Sequence, residues 1–156
     1  MSRITPCLWF DGQAEEAASL YVSLVGNSRI TSVSRYSEAG PGPAGSAMVV
    51  AFELDSLSFI GLNGGPMYTF SEAVSFQISC ETQAEVDRLW TALCEGGQES
   101  QCGWLKDRFG LSWQIVPKVL PELMSDPDPV KAKRTAEAMF KMKKLDIAAL
   151  KTAHAG

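Results

Sequence analysis

The chain is poor in the residues from which most metal and acid–base sites are built. It has one histidine, His154, at the C-terminal end, read as solvated tail. Its four cysteines, Cys7, Cys80, Cys94 and Cys102, are widely spaced and form no CxxC pair. That excludes the usual zinc and dithiol motifs and points to reduced thiols. No apolar run approaches the roughly 20 residues of a membrane helix. The opening Ile4-Thr5-Pro6 has no apolar h-region of a signal peptide, so a cytoplasmic location is expected. A formal charge of −4 gives no reason to expect nucleic acid or an anionic membrane as partner. The charge is uneven, however: residues 1–117 carry six Lys/Arg against thirteen Asp/Glu, and 118–156 carry eight against five. A basic tail beside an acidic body implies docking on that body, its own or that of a homodimer mate.

What is present is ordinary soluble-protein composition, 46% hydrophobic and 21% charged, in a chain long enough for one domain without staples. Cys102–Lys106 and Leu111–Val116 read as a hairpin around an Asp107–Gly110 turn, with Asp107 and Arg108 as a turn ion pair. Leu111, Trp113 and Ile115 point one way and Ser112, Gln114 and Val116 the other. One face is core, and the other mixes hydroxyl, amide and aliphatic groups as a cavity wall does.

The hairpin ends the second of two similar units. Ile4–Phe10 reads as a strand, Gln13–Val25 as a helix, and Arg29–Tyr36 as a strand. Ala47–Leu54 and Leu57–Leu62 read as a hairpin, after a Gly/Pro-rich loop at 38–46 expected to be mobile. The order then returns: Val74–Cys80 strand, Gln83–Cys94 helix, Gln98–Gln101 strand, and the closing hairpin. Gln13-Ala14-Glu15 recurs as Gln83-Ala84-Glu85, and Leu57-Ser58-Phe59 as Leu111-Ser112-Trp113. The expected fold is α+β, with two βαβββ modules (about 4–63 and 74–117) forming one domain over 1–117. Each helix covers one face of its sheet, and the paired sheets would enclose a half-open barrel whose hollow is the default ligand site. Residues 118–156 add helices at Leu120–Met124, Lys131–Met142 and from an Asp146 N-cap to Leu150. They form an extension expected to pack on a sheet edge or a dimer mate.

These stretches resemble a known family. Ile4-Thr-Pro-Cys-Leu-Trp-Phe10, Leu62-Asn-Gly-Gly-Pro66, Glu85-Val-Asp-Arg-Leu-Trp90, Cys102–Asp107, Phe109–Pro117 and Met142–Ile147 are similar to the PhnB-like, 3-demethylubiquinone-9 3-methyltransferase-like branch of the vicinal oxygen chelate (glyoxalase/bleomycin resistance/dioxygenase) superfamily. In its metal-dependent members, four His or Glu ligands come from the first and last strands of each module. The corresponding positions here, Thr5, Ser75, Gln114 and Ile60 or Gly61, offer no imidazole or carboxylate. The resemblance therefore implies no metal and no cofactor. It implies a small amphipathic or aromatic ligand held in the hollow, as in antibiotic-sequestering members.

The candidate ligand contacts are Thr5, Trp9, Asn63, Ser75, Gln77, Trp104, Trp113 and Gln114. The alternative is an isomerase, lyase or methyltransferase-like enzyme, with Glu53 as general base or Cys102 as nucleophile. Asn63-Gly64-Gly65-Pro66 follows a strand but opens no helix, so it reads as a turn and not as a nucleotide cradle.

Overall fold

A computed structural model describes residues 2–156, and the chain divides into two compact units, one up to Phe70 and one over Ser71–Gly156. In the first, β1 (Cys7–Phe10), α1 (Ala14–Leu24), β2 (Arg29–Arg35), β3 (Ala47–Leu54) and β4 (Leu57–Asn63) form a sheet of order β1-β4-β3-β2, with β1 parallel to β4. The strand expected from Ile4 begins only at Cys7. Pro6 has no N–H to give a ladder, although its carbonyl accepts from Ile60 N at 2.9 Å. Thr5 therefore lies outside the sheet and is exposed.

β3 shows why one face is core. Val50, Phe52 and Leu54 are buried against α1, whereas Val49, Ala51 and Glu53 stand half-buried on the other face. The helix buries Ala14, Ala17, Ala18 and Tyr21, and the three alanines let it lie close to the sheet. Asp55 and Ser56 turn the β3–β4 hairpin with φ of 46° and 69°, the two left-handed residues of a type I′ turn. The 38–46 segment has no regular structure but is closed on itself. Tyr36 N donates to Ser46 O and Gly45 N to Tyr36 O, both at 2.9 Å.

The second unit repeats this plan. β5 (Ser75–Cys80), α2 (Gln83–Cys94), β6 (Gln98–Glu99), β7 (Trp104–Lys106) and β8 (Ser112–Pro117) give the order β5-β8-β7-β6, again with the first and last strands parallel. The expected repeat is the observed one. Each sheet is open at both edges, and neither is closed into a barrel. Val86, Leu89, Trp90 and Leu93 of α2 bury against Leu105, Leu111, Trp113 and Ile115. At about 25 cal/mol per Å² of apolar surface, each such side chain contributes roughly 1.5–3 kcal/mol.

Three helices follow, α3 (Val119–Met124), α4 (Pro129–Phe140) and α5 (Ile147–Ala155), and they pack within this unit. Val116 at the end of β8 shares a core with Leu120, Leu145 and Leu150. The strand expected from Cys102 starts instead at Trp104. Cys102 and Gly103 both have positive φ, and their N–H groups donate to Met142 O and Lys143 O at 2.8 Å. A Cβ on Gly103 would meet Leu145 at 2.9 Å, so this turn admits the C-terminal segment only because it is glycine. Nor is His154 solvated tail. α5 runs past it, and its Nε2 lies 2.8 Å from Asp126 Oδ2.

Candidate site on the helix-free face of the second sheet

The register of the second sheet arranges two cross-strand rows on the face away from α2. Ser75, Ser112, Lys106 and Gln98 form one row, and Gln77, Gln114 and Trp104 the other. Gln114 Nε2 donates to Ser75 Oγ at 2.9 Å, which fixes the amide across the sheet. Gln77 is exposed, and Trp104 is half-buried. Lys106 Nζ pairs with Glu72 Oε1 from the turn before β5. This hydrogen bond, then one from Glu72's own backbone, holds the Glu72 carboxyl below the usual carboxylate range. The Ser112 hydroxyl is 1% exposed and has no partner. It lines a pocket of about 110 Å³ with Glu72, Gln98, Trp104 and Lys106.

Trp113 is turned to the opposite face. It is 3% exposed, its ring centroid is 5.8 Å from that of Phe76, and its Nε1 donates to Asp107 Oδ2 at 2.9 Å. The strand alternation that brings Gln114 to the pocket face sends Trp113 into the core. Asp107 does more than turn the hairpin. Its Oδ1 also accepts from Phe109 N and Leu111 N at 2.9 and 3.0 Å. A buried carboxylate is tolerable only with such donors. Arg108 also lies over Phe109, with its guanidinium carbon 4.6 Å from the ring centroid.

In the first unit, the equivalent face is apolar around β1, with Glu53 and Ser58 paired at the hairpin end. Cys7 faces Ile60 where Gln77 faces Gln114, and Trp9, Leu62, Val49 and Ala51 continue the surface. Trp9 Nε1 donates to Gly65 O at 2.8 Å, and its ring meets Tyr68 edge-on at 5.0 Å. A Cβ on Gly64 would overlap that indole. The Asn-Gly-Gly turn thus serves Trp9 and is no phosphate cradle. Asn63 is spent as well. Its Oδ1 accepts from Ala14 N at 2.9 Å and its Nδ2 donates to Ala47 O at 3.0 Å, capping α1 and tying β3. Sequence reasoning missed this use, because α1's own N-cap residue, Gln13, makes no side-chain cap.

The two catalytic candidates belong to different units. Glu53 lies on the helix-free face of the first sheet with Oε2 3.1 Å from Arg29 Nε. Cys102 is half-buried in the left-handed turn. Burial pushes the Cys80 thiol up to about 12 and the Cys94 thiol up to about 11, so neither is a nucleophile at neutral pH.

A larger cleft of about 590 Å³, which the sequence did not signal, lies in the first unit between Asp11, Glu15, Arg35, Tyr36, Pro41 and Gly64. It has the size of a ligand pocket. Its principal polar groups bond one another, however. Arg35 reaches Glu15 at 3.2 Å, and Tyr36 Oη donates to Asn63 O at 2.6 Å. Only the smaller pocket of the second unit holds an unspent buried hydroxyl beside an ammonium.

The positions that the resemblance assigns to metal ligands, Thr5, Ser75, Gln114 and Ile60 or Gly61, carry hydroxyls, an amide and apolar groups rather than imidazole or carboxylate. Among the described residues, no three His, Cys, Asp or Glu side chains are grouped to hold a metal.

Comparisons with known proteins show the family and the fold. A family model described as 3-demethylubiquinone-9 3-methyltransferase matches residues 2–116. A PhnB protein of Bacillus cereus, carried under the same methyltransferase name, is 35% identical, with a TM-score of 0.70 over 74% of this chain and 99% of that one. A Pseudomonas aeruginosa protein at 24% identity (TM-score 0.62; 75% and 98% covered) shares the fold. So does the fosfomycin resistance protein FosX of Mesorhizobium loti at 12% (TM-score 0.54; 80% and 98% covered). No curated protein matches the chain.

Proposed function

The chain belongs to the 3-demethylubiquinone-9 3-methyltransferase family, and from that premise we propose that it binds a small amphipathic or aromatic molecule on the helix-free face of its second sheet, without a metal. The observation that supports this is the hydroxyl–amide set of Ser75, Gln77 and Gln114, held in order by the 2.9 Å Gln114–Ser75 bond beside the Trp104 ring. Such a set orients a neutral or zwitterionic ligand through hydrogen bonds while the indole supplies apolar contact. In the first unit, the matching face offers Trp9 but has Cys7 and Ile60 where the second has Gln77 and Gln114, so orientation is assigned to the second. The methyltransferase activity in the family's name would need a nucleotide cradle. Asn63-Gly64-Gly65, the turn weighed for that role, is occupied with Trp9 and α1.

The test is ligand-observed NMR on the full chain with a library of aromatic and amphipathic molecules, with and without EDTA. Hits that survive the chelator and weaken at least about tenfold in Gln114→Ala are the expected result, one lost charge-free anchor and its partner's bond. Binding that the chelator abolishes, or an empty screen, overturns the reading.

A further inference from the structure

We propose that the molecule bound on this face carries a carboxylate, seated between the Ser112 hydroxyl and the Lys106 ammonium. The proposal rests on the preceding reading that the face binds a small molecule, and it names that molecule's charged end.

Three observations converge on the small pocket of the second unit. First, Ser112 Oγ is buried and unbonded, and leaving a buried hydroxyl unmatched costs stability unless something else fills it. Second, Lys106 stands directly across the ladder from Ser112, on the same face, and supplies only donors. An ammonium beside a hydroxyl that can turn its hydrogen toward the pocket calls for an anionic acceptor. Third, the chain already places a carboxylate there. Glu72 reaches Lys106 from an exposed turn with its own side chain 63% accessible. An ion pair this open contributes little, and releasing Glu72 to water costs correspondingly little. A ligand carboxylate could therefore replace it and gain the Ser112 bond that Glu72 does not make. The volume of about 110 Å³ suits a head group and not a whole ligand. The body would lie along the adjoining row, on Trp104 and Gln114.

The experiment is calorimetry of the full chain with matched probes, indole-3-acetate against indole-3-acetamide and benzoate against benzamide. The acids bind at least about tenfold more tightly than their amides, as one charge-assisted hydrogen bond requires. Lys106→Met erases that preference. Glu72→Gln, by removing the competing carboxylate, strengthens acid binding and leaves the amides unchanged. Ser112→Ala weakens acid binding without lowering the melting temperature, a combination that a purely structural hydroxyl does not give. Equal binding of acids and amides, with Gln114→Ala weakening both, overturns the carboxylate and leaves the ligand face standing. Binding by neither member of any pair overturns both.

Discussion

The two βαβββ units share a strand order and differ in what their open faces carry. Where the second sheet presents Ser112 and Gln114, the first presents Ser58 and Ile60. Where Gln77 faces Gln114, Cys7 faces Ile60. The hairpin turns differ in the same spirit. Asp55-Ser56 turns through two left-handed residues with exposed bonds to Ser28 and Asn27, whereas Asp107–Gly110 is organised around a buried carboxylate with three donors. The difference teaches that the helix-side core constrains the scaffold, while the open face and the turns are free to diverge. In the second unit, that freedom has been used for polar groups.

The comparison can be broken first at the turns, where the largest effect is expected. Asp107→Ala leaves two backbone N–H groups and the Trp113 indole N–H without their acceptor, at a cost of about 3 kcal/mol or more. Asp55→Ala should cost about 1 kcal/mol, the left-handed penalty of a residue at φ 46°, since that side chain carries no such load. Urea midpoints of the two variants measure the gap, and equal losses would mean that the turns are not built differently.

Next comes the residue after each unit's last parallel strand. Gly64→Ala drives a methyl into the Trp9 indole and should cost about 2 kcal/mol, with a change in tryptophan fluorescence. Its repeat counterpart Lys118, in an exposed pair with Glu81, should tolerate alanine within about 0.5 kcal/mol. A smaller effect on stability, but a complete one on binding, is expected from exchanging the faces. Gln114→Ile should shift stability by about 1 kcal/mol or less and abolish ligand binding, whereas Ile60→Gln should cost a similar amount and leave binding intact. Parallel melting curves and NMR titrations decide this, and binding retained by Gln114→Ile would move the site off this face.

The smallest effect is electrostatic and confined to the second unit's helical extension. The Asp128 backbone N–H, and then the His154 ring, hold the Asp126 carboxyl below its usual value of about 3.9. A lowered carboxylate pKa stabilises the fold above that usual value, and the contribution disappears as pH falls through the lowered one. Melting temperatures of the parent and Asp126→Asn should therefore differ slightly at pH 6 and converge below about pH 3. A gap that persists in acid would mean that the His154–Asp126 contact stabilises by packing rather than by charge.

Much of the architecture was legible because it is periodic. Alternation placed β3 and β8, helical spacing placed α2 at Gln83–Cys94, and the paired motifs gave the repeat. The errors fell where one residue's geometry overrides its neighbourhood. Pro6 delays β1, the left-handed Cys102-Gly103 delays β7, and the Asp146 cap carries α5 through His154 to Ala155. The site was less legible. Asn63, Asp107 and Gln83 all read as polar residues near turns. The first caps α1 from 49 residues away, the second gathers a hairpin, and the third accepts from Ile147 N across 64 residues to hold α5. No local pattern distinguishes a polar group spent in this way from one left for a ligand.

The sequence by itself determined the two modules, their element order, the two faces of β8 and the absence of imidazole or carboxylate at Thr5, Ser75, Gln114 and Ile60 or Gly61. These follow from side-chain periodicity and donor chemistry, which are local. Only the tertiary structure decided which polar groups are consumed. It left Ser112 without a partner, gave Lys106 to Glu72 and gave the Trp113 indole N–H to Asp107. Hydrogen-bond satisfaction depends on which distant atoms the fold brings within about 3 Å, and only the closed chain fixes that.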